Sequence, residues 1–274
     1  MCLCRVPSES YYAENGNKEG NKNMKLLTIS LLALSLSAVG AHAQTDSDAL
    51  KINLGTADKF GVLGGSGITN VSAHTFIIGN VGSSPTPTVK GIKPGQVKGH
   101  LYLKSSPVTA KAQRGLTTAY NKAAGAHCDT ILTGQDMGGM KLIPGVYCFT
   151  SAAQLTGTLK LNARGNSNAQ WIFQIGTTLT AAKNSKVVVN LGGKGGRGCN
   201  VYWQVGSSAT VGKGSIFVGK IMALTSVTLN GGTLRGKALA SNGAVTISSQ
   251  ETVDGPSCAS AAMAEDGGMA LSQN

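Results

Sequence analysis

Five threonines carry the most regular side-chain chemistry in the sequence. WIFQIGTTLT (171–180) and VYWQVGSSAT (201–210) align at an offset of 30, with Gln, Gly and the final Thr coinciding. Two further steps of 18 lead from Thr210 to Thr228 and Thr246, and matching Phe149 to Phe173 at an offset of 24 sets Thr156 under Thr180. Beside this column runs a second one: Gln154, Thr178, Ser208, Ser226 and Ala244. Thr holds a hydroxyl and a methyl on a stiff β-branched stem. An array of such groups can organise water or a polar surface, but it makes and breaks no bonds. Groups able to do covalent chemistry are sparse. Glycosidase chemistry wants two carboxylates at a set separation, whereas Asp58, Asp129 and Asp136 lie far apart and outside the repeats. His74, His100 and His127 are isolated, and no Gly-x-Ser-x-Gly elbow occurs. Without a CxxC pair or a Cys/His cluster there is no zinc signature. The expectation is a protein that is not an enzyme, with no cofactor and no metal.

The elements that must position these threonines follow from alternation. Leu155, Leu179, Ala209, Val227 and Val245 precede the threonines, and Ala181, Val211, Leu229 and Ile247 follow the last four. Period two with β-branched residues reads as a strand buried on one face. A unit of about 18 residues with Gly-rich turns is one coil of a β-solenoid, whose stacked coils share one core. The preceding strand has Phe149, Phe173, Trp203, Ile221 and Leu239 pointing inward. Its outward columns, Cys148, Ile172, Tyr202, Lys220, Ala238 and Thr150, Gln174, Gln204, Met222, Ala240, are too apolar to face water and require a cover. The cover is a helix over 107–124, started by Pro107 and stopped by Gly125. Val108, Ala112, Leu116, Ala119, Tyr120 and Ala123 form its apolar stripe. At about 1.5 Å per residue it spans about 27 Å, nearly six coils at about 4.8 Å each. Cys128, just past the helix, is placed to bridge to Cys148.

Composition supports a turn-rich β protein: 38 Gly, 5% aromatic and 13% charged residues are wrong for a disordered chain or a helical bundle. Residues 24–43 read as a secretory signal peptide, with Lys25, an apolar run over 26–39 and Ala41-His42-Ala43. That run is too short for a membrane span. Residues 1–23 read as an upstream extension from a mis-assigned start, 44–258 as the solenoid domain and 259–274 as a loose tail. The protein is expected to be secreted or periplasmic. Export leaves Cys128, Cys148, Cys199 and Cys258, which allow three disulfide connectivities; the pairing of Cys199 and Cys258 stays open. Of the 24 Lys and Arg, 20 lie between Lys51 and Lys237, where only Asp58, Asp129 and Asp136 oppose them. The lysines are scattered singly without interleaved aromatics, so no nucleic acid is expected as partner, and the chain reads as a monomer.

Nine segments carry a resemblance: LGTADKF (54–60), GNVGSSP (79–85), LTTAYN (116–121), PGVYCF (144–149), QLTGTL (154–159), WIFQIG (171–176), CNVYWQVGSSAT (199–210), ALTSVT (223–228) and NGAVT (242–246). Over about 54–253 the chain resembles the microbial ice-binding-protein family. The resemblance implies a right-handed, three-sided β-solenoid with discontinuous coil order and a long helix packed along its axis. It also implies that residues 62–81, including SGIT (66–69), complete one end. Family members bind ice on a flat face that the helix leaves bare. Here that face matches Thr156, Thr178, Thr180, Ser208, Thr210, Ser226, Thr228 and Thr246, with an ice crystal surface as partner. The loose T-A/G-x-T/N pattern of some members is broken at Lys183 and Lys213. The competing reading is an extracellular adhesin or matrix protein that binds an anionic polymer, such as an acidic glycan, or another protein through basic solenoid faces.

Overall fold

Alternating apolar residues on short strands bury one face only when coils stack, and the chain stacks them in parallel around a three-sided core. The computed structural model describes residues 50–166, 168–190 and 200–255; the extension, the signal segment, the tail, Cys199 and Cys258 lie outside them. A full coil is seen in Trp171–Ile175, Leu179–Ala181 and Lys186–Asn190, which form its first, second and third sides. In later coils the third side runs directly into the next first side, as in Ser215–Ala223 and Gly232–Ala240. Glycine makes that bend possible. Gly219 has φ +121°, and a Cβ there would lie 2.6 Å from the Trp203 Nε1, whose N–H donates to the Val218 carbonyl at 2.9 Å.

Coil order is discontinuous. Phe60–Gly64, Gly67–Asn70 and Phe76–Ile78 pair with Gly232–Ala240, Ala244–Ile247 and Glu251–Asp254, so an N-terminal coil stacks on the last C-terminal one. A further coil, Asn80–Ser83, Val89–Lys90 and Val97–Lys98, continues beyond it. The second side is therefore a seven-stranded parallel sheet, one strand longer than the six coils expected from the helix length. Inside, Phe173 lies flat on Trp203 with ring centres 4.0 Å apart, between Tyr147 and Phe217. Such stacking contributes about 0.5–1.5 kcal/mol per pair beyond simple burial.

The helix Pro107–Ala124 covers the first side as expected. Ser106 caps it by accepting from the Val108 N–H at 3.2 Å. Ala112, Leu116, Ala119 and Ala123 are buried against Ile172, Tyr202, Met222, Leu239 and Leu63. Val108, by contrast, is exposed, and Thr109 takes the buried position, its hydroxyl donating to the Ser106 carbonyl at 2.8 Å. The Gln174 amide donates to the Ala123 and Ala126 carbonyls at 2.8 and 2.7 Å, tying the C-terminal end of the helix to the coils. Beside it, Cys128 and Cys148 form a disulfide. Farther along this side, Lys220 and Lys237 are buried beneath the 3-10 turn Gly55–Lys59. Lys220 Nζ lies 3.4 Å from Asp58 Oδ1, and the Lys237 ammonium donates to the Asp58 and Phe60 carbonyls. Burial pulls the Lys237 ammonium down to about 8 despite the Asp58 charge beside it.

Two registers differ from the sequence alignment. The first coil is displaced by two residues: Ala153, Gln154 and Leu155 stand opposite Leu179, Thr180 and Ala181, and Tyr147 and Phe149 stand opposite Phe173 and Ile175. In the last C-terminal coil Ile221 pairs with Ala238, and Leu239 turns outward beneath the helix. The cause is one extra residue in the corner 241–244, compared with 224–226 a coil earlier.

Candidate functional site

The second side presents the threonine array. Its inward residues, Ile68, Ala153, Leu155, Leu179, Ala181, Ala209, Val211, Val227, Leu229, Val245 and Ile247, are all buried, which forces the residue between each pair outward. Backbone pairing sets Thr180 opposite Thr210, Thr210 opposite Thr228, Thr228 opposite Thr246, and Thr246 opposite Thr69. Five threonines thus form one straight column, about 19 Å long at about 4.8 Å per strand. Gln154 and Lys90 terminate it at the two ends.

Thr156 is not in this column. It lies in the coil next to the column, two places beyond Gln154, with its hydroxyl donating to Asp136 Oδ2 at 2.6 Å and its N–H to Asp136 Oδ1 at 2.9 Å. Burial raises the Asp136 carboxyl, but hydrogen bonds from Thr156 and the Gly138 N–H outweigh it and hold the group below its usual range. The fifth threonine of the column is Thr69, from the N-terminal strand Gly67–Asn70. The SGIT segment completes the end of the solenoid, and its Thr69 adds to the column a position that the five-threonine alignment of the sequence does not contain. Its signal was an apolar residue before a threonine, as in the other coils.

Thr178, Ser208 and Ser226 stand one place before the inward residues Leu179, Ala209 and Val227, forming a second outward column about 6.6–6.8 Å from the first. It ends in Ala244 and Gly67, so only three of its five positions carry hydroxyls. Thr69 and Thr180 are exposed and the three central threonines half-exposed. Among the described residues, none of the hydroxyls of Thr69, Thr178, Thr180, Ser208, Thr210, Ser226, Thr228 and Thr246 hydrogen-bonds to protein. All remain available to water. Lys183 and Lys213 sit in the corner turns beside this face, with the Asn184 N–H donating to the Lys213 carbonyl at 2.9 Å.

The three carboxylates between residues 51 and 237 have structural partners. Asp58 faces the buried lysines, Asp129 accepts from the Val146 N–H at 2.7 Å, and Asp136 holds Thr156. No grouping of three or more His, Cys, Asp or Glu able to hold a metal occurs among the described residues, and none of their helices is long and apolar enough to cross a membrane.

Comparison with known proteins agrees with this architecture. Residues 62–253 match the family described as Ice-binding-like. An ice-binding protein of Nostoc sp. (strain HG1) is 48% identical over 207 residues, 74% of this chain and 75% of that protein. One from Leucosporidium sp. (strain AY30) is 32% identical, covering 77% and 86%. Among solved structures, an ice-binding protein from an Antarctic biological consortium superposes with a TM-score of 0.68 at 39% identity, covering 73% of this chain and 89% of that one. A glycosylated ice-binding protein from an Arctic yeast gives 0.67 at 31%, covering 75% and 94%.

Proposed function

The chain belongs to the Ice-binding-like family, and we propose that it adsorbs to ice crystals through the threonine face of the second side. The observation that carries the reading is the column Thr180, Thr210, Thr228, Thr246 and Thr69, held in register by backbone pairing with its hydroxyls unspent. With Thr178, Ser208 and Ser226 it makes a rigid grid of about 4.8 by 6.7 Å, which approximates the repeat of water molecules in ice. Hydroxyls anchor water while methyls order the shell beside them. β-Branched side chains on a fixed sheet lose little rotamer entropy on docking. Each contact is weak, and affinity comes from many pre-organised groups engaging together. Ice between adsorbed molecules is then forced to grow curved, and growth stops.

The adsorption needs no nucleophile, proton transfer or metal, and the structural roles of Asp58, Asp129 and Asp136 support a non-enzymatic reading. Export through residues 24–43 fits the same function, since ice is met outside the cell. The Cys128–Cys148 disulfide is of the kind that persists in oxidising compartments. Ice recrystallisation inhibition tests the reading: purified protein should keep grains small in annealed polycrystalline ice at concentrations where serum albumin has no effect. Grain growth equal to that with albumin would contradict it.

A further inference from the structure

The third side carries a different chemistry. Its strands Lys141–Leu142, Thr158–Asn162 and Lys186–Asn190 form a parallel sheet with Lys141 directly opposite Lys160, and with Lys186 opposite Thr158. Lys160 and Lys186 are therefore diagonal neighbours, about 7–8 Å apart. Around the corner, Lys183 and Lys213 are stacked on successive coils. All five are exposed, and among the described residues none makes an ion pair within 4 Å. The nearby acids are engaged elsewhere: Asp136 holds Thr156, and Glu251 is buried. Asp254 faces Arg235 at the other end of this side.

Like charges directly opposite on adjacent strands repel. Backbone register nevertheless fixes Lys141 and Lys160 in that arrangement, with no carboxylate of the described residues paired to either. We propose that this end of the third side is a binding surface for a linear acidic polysaccharide, a polyuronate carrying one carboxylate per sugar. An extended chain laid along the stacking direction meets a lysine at each step, so its carboxylates neutralise the repulsion that the fold leaves unpaired. Among the described residues of its three strands the surface holds no aromatic ring. Single-stranded nucleic acid is recognised by stacking bases on such rings, and a duplex groove needs a protruding element; among the described residues of its three strands the patch offers neither. A corner separates it from the threonine face, so polysaccharide and ice are held at once and the protein is retained in an acidic matrix beside the crystal.

The test is retention of the purified full chain on immobilised alginate. The parent protein should bind at ~0.1 M salt and elute by ~1 M, as the screening length falls from roughly 10 to roughly 3 Å. The triple variant K141Q/K160Q/K186Q, with an unchanged unfolding temperature, should bind at least about tenfold more weakly. K141R/K160R/K186R should bind like the parent, and Thr210→Tyr should leave alginate affinity unchanged while removing ice activity, which separates this proposal from the one above. Equal retention of parent and glutamine variant, equal retention on neutral dextran, no retention of the parent, or displacement by oligo(dT) at lower charge concentration than by free alginate would each overturn it.

Discussion

Thr69 on the second side and Thr156 at its corner are both exposed threonines, yet their hydroxyls have different fates. Thr156 donates to Asp136, while Thr69 stands free at the end of the column opposite Thr246. Thr69→Tyr is therefore expected to lower the thermal hysteresis below the parent's, whereas Thr156→Tyr leaves it at the parental level. Nanolitre osmometry on the two purified variants distinguishes them. Single residues also set the pH response of stability. Glu251 is buried with one carboxyl oxygen accepting from the Gly231 N–H and the other without a partner among the described residues, and burial pushes the group up to about 7. Between its ordinary value and about 7 the folded state binds the extra proton, so stability falls as pH rises through that window. The full effect is on the order of 3 kcal/mol. Lys237 acts in the opposite sense at higher pH: its lowered value makes the unfolded state bind the extra proton, so stability rises from about 8 toward its ordinary value. Urea denaturation at pH 5 and pH 7.5 should show the parent less stable at the higher pH, and Glu251→Gln should flatten the difference.

At the scale of elements, the sequence was most legible where a pattern has distinct ends. The helix begins at Pro107, whose ring fixes φ, and ends before Gly125, a poor helix former, and the structure runs Pro107–Ala124. Register was harder to read. Setting Thr156 under Thr180 is wrong by two residues, and a two-residue slip leaves every side chain on its own face, so alternation cannot reveal it. The single extra residue at 241–244 does reverse faces. It hid behind Leu239 and Ala238, both apolar and both buried, one beneath the helix and one in the inner core. Thr69 escaped assignment to the column because its coil lies before the helix in sequence and after the last C-terminal coil in space. The helix itself is stabilised by burial against the first side. Leu116, fully buried at its centre, should cost about 2–5 kcal/mol when changed to Ala. The disulfide closes a 20-residue separation, and replacing both cysteines by Ser should cost about 3 kcal/mol. Calorimetric unfolding of each variant measures both.

At the scale of the whole molecule, three sides divide the work. The first is sealed by the helix, the second displays hydroxyls in register, and the third displays unpaired lysines at one end. A solenoid allows this division because each coil contributes one strand to every side, so a residue type repeated in sequence becomes a row in space. The same geometry makes each row vulnerable at its middle. Thr210 stands inside the column, half-exposed and flanked by Thr180 and Thr228, where an aromatic ring breaks the flatness without touching the core. The most direct measurement is thermal hysteresis of Thr210→Tyr beside the parent, with calorimetry confirming equal unfolding temperatures. Near-complete loss of hysteresis in a folded variant is the expected result; hysteresis equal to the parent's would contradict adsorption through the threonine face.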